Sequence, residues 1–218
     1  MVLPEEIIER FMAIDPAQVG HYIEGGYMSP EIKPIDPDYK IIGPAYTVRV
    51  TAKDSTSVYY GLLNAPEGSV MVIDRCGDET FACVGEIVAC VAKKRGVAGI
   101  VVDGPATDSK PIRRMRYPVF SKGLSPVATN LQGLSGQVNV TVQCGGAVVN
   151  PGDLIFGDAD GVIVIPPERA LELLEKAEKA TENEAKTKQI IEKTGFIPTN
   201  IKKLFESDVI AAINEFKK

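Results

Sequence analysis

The stretch GEIVACVAKKRGVAGIVVDGPATD, which runs from Gly85 to Asp108, decides the fold. Its first part predicts an amphipathic helix, because one helical face collects the apolar residues Ile87, Val88, Val91 and Ala92. Gly96 is expected to end this helix, and the apolar run Ala98–Val102 predicts a buried strand. A helix that leads directly into a buried strand is typical of α/β proteins.

The segments on either side of this stretch extend the same pattern. Val70–Ile73 predicts a buried strand, so that Val70–Val102 forms one βαβ unit with parallel strands and a right-handed crossover. Pro118–Phe120 predicts a third buried strand, and the alternating TVRVTA of Thr47–Ala52 predicts another. The fold class is therefore predicted to be α/β.

The sequence beyond Val138 favours short strands joined by tight turns. Gly157–Gly161 lies between two such strands, and it predicts a hairpin turn because the ligand spacing of an EF-hand is absent. Glu168 to about Lys193 predicts a long helix, and Ser207 to Phe216 a last one. We expect one domain over residues 1–218, with a core at about 43–166 and a C-terminal helical extension at about 167–218.

Composition and charge exclude several classes of protein. The chain has 218 residues and a net charge of −5, and Arg113, Arg114 and Arg116 make only a short basic stripe, so nucleic acid is not expected as a direct partner. No apolar run is long enough to span a membrane, and the first residues do not resemble a signal peptide, so a cytoplasmic location is expected. The single histidine, His21, excludes a histidine-based metal site and is predicted to be a partly buried packing residue.

The four cysteines form no CxxC pair, so a zinc site is not predicted. Cys90 is predicted to lie in the core, because it falls in the apolar pattern of the helix. Cys83 is a weak candidate nucleophile, because no base is placed to activate it.

Candidate site residues follow the predicted parallel strands, whose C-terminal ends are where ligands collect in α/β proteins. Asp74, Arg75 and Asp78 follow one strand, and Asp103 and Asp108 follow the next. The helix that begins near Gly85 offers unpaired amides, which suit a carboxylate, and Asp108 could supply a ligand for a hard cation such as Mg²⁺. The alternative is that Asp108 only caps the turn of Ser109–Pro111 and that Gly85 only starts the helix.

Four segments taken together resemble the RraA-like family, which contains regulator of ribonuclease activity A and the 4-hydroxy-4-methyl-2-oxoglutarate aldolases. They are GPAYTVRV (Gly43–Val50), Gly85–Asp108, YPVF (Tyr117–Phe120) and PGDLIFGDADGVIVIP (Pro151–Pro166). The resemblance implies a swivelling β/β/α fold, assembled as a homotrimer or hexamer with active sites between subunits.

The resemblance also implies a site. A divalent metal, Mg²⁺ or Mn²⁺, would bind Asp108 and waters, and a 2-oxo acid would accept hydrogen bonds from the amides at the helix start, Gly85, Glu86, Ile87 and Val88. The segment NEAKTKQIIEKTG makes Glu184 the candidate that supports the metal's waters from the neighbouring subunit.

Two positions depart from the family's motif. Thr107 stands where the motif has the arginine that steadies the substrate oxygen, and Pro111 stands where it has an acid. Arg75, or an arginine among residues 113–116, is a candidate to replace the guanidinium. Asp103 or Asp78 is a candidate to replace the acid, and Asp78 is also a candidate base.

The function predicted from this site is a metal-dependent retro-aldol cleavage of a 2-oxo acid that releases pyruvate, with oxaloacetate decarboxylation as a related reaction. The predicted catalytic set is Asp108, Thr107, Asp78 and Arg75, with Thr107 also binding substrate. One alternative is a non-catalytic regulator that binds a ribonuclease or another protein partner. Another is an enzyme whose substrate has shifted because of Thr107 and Pro111.

Overall fold

The computed structural model describes residues 4–51, 53–134 and 136–197. The chain divides into two compact units, the first ending at Ala177 and the second beginning at Glu178. The helix predicted at Ser207–Phe216 lies outside the described residues. Among the described residues, no helix is both long and apolar enough to cross a membrane.

Ten strands and six α-helices make up the described structure. The strands are β1 (Lys33–Pro34), β2 (Ile41–Arg49), β3 (Val70–Asp74), β4 (Gly99–Ala106), β5 (Val119–Leu124), β6 (Gln137–Val138), β7 (Val142–Cys144), β8 (Ala147–Val149), β9 (Leu154–Asp158) and β10 (Gly161–Ile165). The helices are α1 (Glu5–Met12), α2 (Pro16–Gly20), α3 (Thr56–Asn64), α4 (Glu86–Lys94), α5 (Ser109–Met115) and α6 (Ala170–Thr194).

One mixed sheet organises the first unit, with strand order β1-β5-β4-β3-β2-β9-β10 and β6 paired to β2. Strands β2 to β5 are parallel, and β9 and β10 form an antiparallel hairpin through Asp158–Gly161. The fold class and the βαβ unit predicted from the sequence are confirmed. The hairpin at Gly157–Gly161 is confirmed as well.

Strand β2 is longer at its start than the sequence predicts, because Ile41–Pro44 also pairs, antiparallel to β9. The proline is tolerated in this strand because β2 changes partner there, and Ala45 begins the parallel pairing with β3. Strand β4 also runs beyond its predicted end at Val102. A register shift between Val102 and Pro105 accommodates a residue that has no amide hydrogen to donate.

Three apolar clusters hold the unit together. The first packs α3, α4 and α5 on one face of the parallel strands, around Val48, Ile73 and Val102. The second lies on the opposite face, which the β7–β8 hairpin covers. The third joins α1, α2, β9 and β10 to the start of α6. Burial of these faces fixes β3 and β4 side by side, and the candidate site lies beyond their C-terminal ends.

Three predicted burials are wrong. Cys90 is exposed, because its position on α4 faces away from the sheet. Ile87 is 63% exposed, whereas Val88 and Ala92 are buried as predicted. His21 is exposed as well, just after α2.

Candidate functional site

The backbone brings the start of α4 beside the end of β4. Val84 pairs with Ala106 in a parallel bridge, and the amide of Thr107 donates to the carbonyl of Val84 at 2.8 Å. On the other side, Ala82 exchanges backbone hydrogen bonds with the segment 127–129. These bonds fix Gly85 directly against Thr107 and Asp108.

Asp108 lies where β4 gives way to α5, in a left-handed backbone conformation with φ of 53°. Its side chain makes no capping hydrogen bond to α5. Instead, Oδ2 accepts a hydrogen bond from the amide of Glu86 at 3.0 Å, at the first residue of α4. The alternative in which Asp108 caps its own turn is therefore wrong, and the carboxylate faces the start of the preceding helix.

Gly85 permits this close approach. A Cβ atom built at position 85 would lie 2.6 Å from Oδ2 of Asp108 and 2.8 Å from Cγ2 of Thr107. Its φ of −136° is open to any residue, so the constraint is space and not backbone conformation. Gly85 thus does more than start the helix: its missing side chain is where the carboxylate fits.

The start of α4 presents a row of amides to the same place. An α-helix leaves the amides of its first residues without intrahelical acceptors, and those residues here are Glu86, Ile87 and Val88. The amide of Glu86 bonds Asp108. The amides of Ile87 and Val88, together with the positive end of the helix dipole, suit a second anion.

A cavity of about 150 Å³ lies at this junction, and Gly85, Ile87, Val88, Thr107 and Asp108 contribute to its wall. Ser55, Tyr59 and Thr129 complete its polar lining from two other segments. Asp108 is the one carboxylate among the described lining residues. The described part of the chain holds no cluster of three or more His, Cys, Asp or Glu that could bind a metal.

Arg75 and Asp78, both predicted to be catalytic, lie outside the described lining of this cavity. Arg75 is fully buried, and its Nη2 contacts Oδ2 of Asp78 at 2.8 Å. Burial alone would raise the pKa of Asp78, but the amides of Phe81 and Thr80 and the Arg75 guanidinium together lower it. A carboxylate held in this way is a poor base, so the structure favours a structural role for the pair.

Cys83 does line the cavity, but burial raises the pKa of its thiol to about 11. A thiol that stays protonated is a poor nucleophile, as the sequence predicted. The Arg75 guanidinium partly offsets this rise in the pKa of the Cys83 thiol.

The remaining predicted residues lie in other contacts. Asp103 forms an ion pair with Lys122 at 2.7 Å. Arg113, a candidate to replace the motif's arginine, donates from Nε to the carbonyl of Ile35 at 2.8 Å. Glu184 lies on α6, in the second unit, where Lys188 contacts it at 2.8 Å. None of these contacts brings a second carboxylate or a guanidinium to Asp108.

Sequence reasoning missed the wall formed by Ser55, Tyr59 and Thr129. Asp54 positions this wall: its buried carboxylate accepts hydrogen bonds from Thr56, Gln132 and Leu134, which tie the loop before α3 to the segment around residue 132. The motif Asp54-Ser55-Thr56-Ser57 signals a helix cap. It carries no signal for a partner almost eighty residues away.

Comparisons with known proteins agree with this architecture. The model of the RraA-like family, described as Aldolase/RraA, matches residues 17–164. A protein of Halalkalibacterium halodurans, provisionally named 4-hydroxy-4-methyl-2-oxoglutarate aldolase, is 35% identical over 201 residues, which cover 91% of this chain and 95% of that protein.

Two solved structures are similar over most of their length. The structure of an uncharacterised protein of Pseudomonas syringae superposes with a TM-score of 0.76 at 26% identity. The match covers 89% of this chain and 92% of the Pseudomonas chain. The second is RraAS2 of Streptomyces coelicolor, described as an unusual member of the RNase ES inhibitor RraA family. It superposes with a TM-score of 0.75 at 26% identity, and the match covers 86% of this chain and 98% of the RraAS2 chain. The chain therefore belongs to the RraA-like family.

Proposed function

We propose that the protein is a divalent-metal-dependent carbon–carbon lyase that acts on a 2-oxo acid and releases pyruvate. One observation carries the proposal: the Asp108 carboxylate lines a cavity and accepts a hydrogen bond from the Glu86 amide at the start of α4, and it does not cap its own turn. The aldolase name of the Halalkalibacterium relative supports a lyase at the level of the family.

The substrate's carboxylate would bind at the start of α4. The amides of Ile87 and Val88 donate to it, and the helix dipole stabilises its charge. The cavity of about 150 Å³ is small, well below the size of pockets that enclose drug-sized ligands. It therefore suits a short oxo acid.

The cavity offers the smallest number of protein ligands with which Mg²⁺ or Mn²⁺ is commonly held. Mg²⁺ is commonly held by one or two carboxylates and keeps several waters, and Asp108 supplies one carboxylate. When bound, the metal would act as a Lewis acid that polarises the 2-oxo carbonyl. Thr107 and Thr129 line the same cavity, and their hydroxyl oxygens would help to orient waters.

The reaction needs no oxidant or reductant. In a 4-hydroxy-2-oxo acid, the bond between C3 and C4 breaks, C4 becomes a carbonyl as its hydroxyl loses a proton, and C3 keeps the electron pair as the pyruvate enolate. A proton then adds to C3. Because Asp78 lies outside the cavity's described lining, we assign proton removal to a water held by Asp108. Loss of CO₂ from oxaloacetate leaves the same enolate.

Thr107 lowers the expected rate of this reaction. A threonine cannot neutralise the developing enolate as a guanidinium can, and the loss of such a preorganised charge costs about 3 kcal/mol of transition-state stabilisation. Arg75 and Arg113 are held by Asp78 and by the carbonyl of Ile35. We therefore propose that the enzyme is slow with substrates that rely on the motif's arginine.

Assembly into a homotrimer or hexamer belongs to the same proposal. Glu184 of a neighbouring subunit would then support the waters around the metal. Sedimentation of the purified protein tests the assembly, and a Glu184→Gln variant tests the contribution of this residue to metal affinity.

The test of the lyase is a coupled pyruvate assay with oxaloacetate and 4-hydroxy-4-methyl-2-oxoglutarate, in the presence of Mg²⁺ or Mn²⁺. We expect pyruvate release by the wild type and by the control Asp160→Asn, which changes an exposed hairpin residue. Asp108→Asn should lose at least about a hundredfold in kcat/KM. Pyruvate release that survives in the Asp108 variant, or that is absent from the metal-loaded wild type, rejects the proposal.

A second candidate function is that of a non-catalytic regulator, because no guanidinium lies among the described residues that line the cavity. A protein partner would then bind the acidic surface of the chain. Pull-down with ribonuclease scaffolds over a range of salt concentrations tests it, and binding that survives in Asp108→Asn would favour it over the lyase.

A further inference from the structure

We infer that Tyr59 is a catalytic residue of this site and that its hydroxyl binds the C4 oxygen of a 4-hydroxy-2-oxo acid. The inference rests on the proposed function and assigns one step within it. In that step the C4 hydroxyl loses its proton to the water held by Asp108, and the C4 oxygen carries a negative charge until the bond between C3 and C4 breaks. A hydroxyl that donates to this oxygen stabilises the charge.

Helix α3 sets the direction of the Tyr59 side chain. Val58 and Leu62 are four residues apart and fully buried, so they fix the face of α3 that packs on the core. Tyr59 is partly buried beside that face, packs against the same apolar cluster and lines the cavity that Asp108 also lines. The next residue, Tyr60, is 56% exposed and lines a different cavity. The rotation of the helix therefore brings Tyr59, and not Tyr60, to the candidate site.

Two other hydroxyls of the cavity wall use their protons within the protein. The Ser55 hydroxyl donates to the carbonyl of Asn130 at 3.2 Å, and the Thr129 hydroxyl donates to the carbonyl of Ala82 at 3.3 Å. Because a hydroxyl has a single proton to donate, these two side chains can only accept from a substrate.

Tyr59 keeps its proton for a ligand. Among the described residues, none accepts a hydrogen bond from its phenol oxygen. In the proposed function, the amides of α4 hold the carboxylate of the substrate, the metal at Asp108 polarises its 2-oxo group, and the Thr107 hydroxyl orients waters. The C4 oxygen is the group that is left without a protein donor, and Tyr59 is the lining side chain that can supply one.

The two reactions of the proposed function differ in their need for this hydrogen bond. Cleavage of a 4-hydroxy-2-oxo acid passes through a charged C4 oxygen. Oxaloacetate instead loses its C4 carboxylate as neutral CO₂, and a donor to that carboxylate would stabilise a charge that has to disappear. Tyr59 should therefore accelerate the cleavage and not the decarboxylation.

The test measures kcat and KM of Tyr59→Phe for 4-hydroxy-4-methyl-2-oxoglutarate and for oxaloacetate, with Mg²⁺ or Mn²⁺ present. Phenylalanine keeps the ring and removes only the hydroxyl, and Tyr60→Phe is the matched control on the same helix. We expect the ratio of the two kcat values, cleavage over decarboxylation, to fall on the order of a hundredfold in Tyr59→Phe, because one donor to the developing charge is lost. Tyr60→Phe should keep the ratio of the wild type.

A second readout is the exchange of the methyl protons of pyruvate with solvent deuterium, followed by NMR. This exchange passes through the enolate and involves no C4 oxygen, so it should fall much less than cleavage in Tyr59→Phe. A loss of exchange as large as the loss of cleavage would assign Tyr59 to the enolate or to the structure of the cavity and would contradict the inference.

The outcomes separate the inference from the proposed function. An unchanged ratio in Tyr59→Phe overturns the inference, both when the two rates equal those of the wild type and when they fall together. A wild type that decarboxylates oxaloacetate but cleaves no hydroxy acid overturns the inference and leaves the lyase standing. A wild type that releases pyruvate from neither substrate overturns the lyase and the inference with it.

Discussion

The loops after β3 and β4 both carry aspartates at the same edge of the sheet, yet they use them differently. After β3, Asp74 accepts hydrogen bonds from the amide of Cys76 and from Arg49, and Asp78 accepts them from two amides and from Arg75. After β4, the side chain of Asp108 makes no capping bond to its own helix and accepts a hydrogen bond from the amide of Glu86 on another element, beside a cavity.

The hydrogen-bond partners of these aspartates distinguish a structural carboxylate from a candidate ligand. A carboxylate whose oxygens are bonded by its own loop and by a buried guanidinium stabilises that loop. A carboxylate that is exposed, lies beside a cavity in a left-handed conformation and accepts a single amide hydrogen bond contributes less to stability, which makes it the better candidate ligand. Substitutions in the loop after β3 should therefore lower the free energy of unfolding, whereas substitution of Asp108 should mainly lower metal affinity and activity.

Arg75→Met should have the largest effect on stability. The substitution leaves Asp78 without its 2.8 Å partner in a mostly buried site, and breaking such a pair costs about 3 kcal/mol or more of the free energy of unfolding. Urea denaturation measures the loss, with the exposed Arg114→Met as the matched control. A loss below about 1 kcal/mol would show that the β3 loop does not depend on this pair.

Asp54→Asn, in the loop before α3, should cost about 2 kcal/mol, because the buried carboxylate accepts four hydrogen bonds and bonds to a charged group are strong. Burial alone would raise the pKa of Asp54, but the Thr56 hydroxyl and the amides of Gln132, Thr56 and Leu134 lower it below the ordinary value.

The lowered pKa of Asp54 gives this cost a pH dependence. The stabilisation is fully present above the unfolded value of about 3.9 and is lost as the pH falls below it toward the folded value. The gap in unfolding free energy between wild type and Asp54→Asn should therefore narrow in acid. A gap that stays constant from pH 7 to pH 2.5 would contradict the assignment.

Gly85→Ala should have an intermediate effect, about 1 to 2 kcal/mol, because its Cβ would fall 2.6 Å from Oδ2 of Asp108. The carboxylate must then move away from the amide of Glu86, so that metal affinity falls together with stability. Gly20→Ala is the control, since nothing lies within 4 Å of its added Cβ. Metal affinity equal to that of the wild type in Gly85→Ala would break the link between this glycine and the site.

Asp108→Asn should have the smallest effect on stability, below about 1 kcal/mol, because asparagine tolerates the left-handed backbone and its side-chain oxygen can still accept from the amide of Glu86. Thermal and urea unfolding measure it beside the loss of pyruvate release. A loss of stability as large as that of Arg75→Met would show that Asp108 is a structural carboxylate like those after β3, and the difference between the two loops would disappear.

The sequence predicts the sheet well, because the sheet follows from apolar runs. The place of the candidate site follows from the rule that ligands collect at the ends of parallel strands and stays a prediction. Val70–Ile73, α4 and the strand that starts at Gly99 lie where their patterns place them. The order of the elements along the chain predicts that the start of α4 lies near Asp108, and the hydrogen bond from the amide of Glu86 to Asp108 at 3.0 Å confirms that the two meet.

The remaining contacts depend on distances between segments that are far apart in the sequence. Nothing in the sequence pattern shows that the Arg75 guanidinium contacts Asp78, or that Asp54 accepts a hydrogen bond from the amide of Gln132. The exposure of Ile87 and Cys90 also escapes the pattern, because the face of α4 that the sheet covers is narrower than the apolar stripe.

The most direct test of the central claim is a crystal grown with Mn²⁺ and pyruvate, measured near the manganese absorption edge. The account predicts an anomalous peak within coordination distance of the Asp108 carboxylate, about 2.2 Å, with the pyruvate carboxylate on the amides of Ile87 and Val88. A peak only at other carboxylates, or an Asp108 side chain turned onto α5 beside an ion-free cavity, would contradict it.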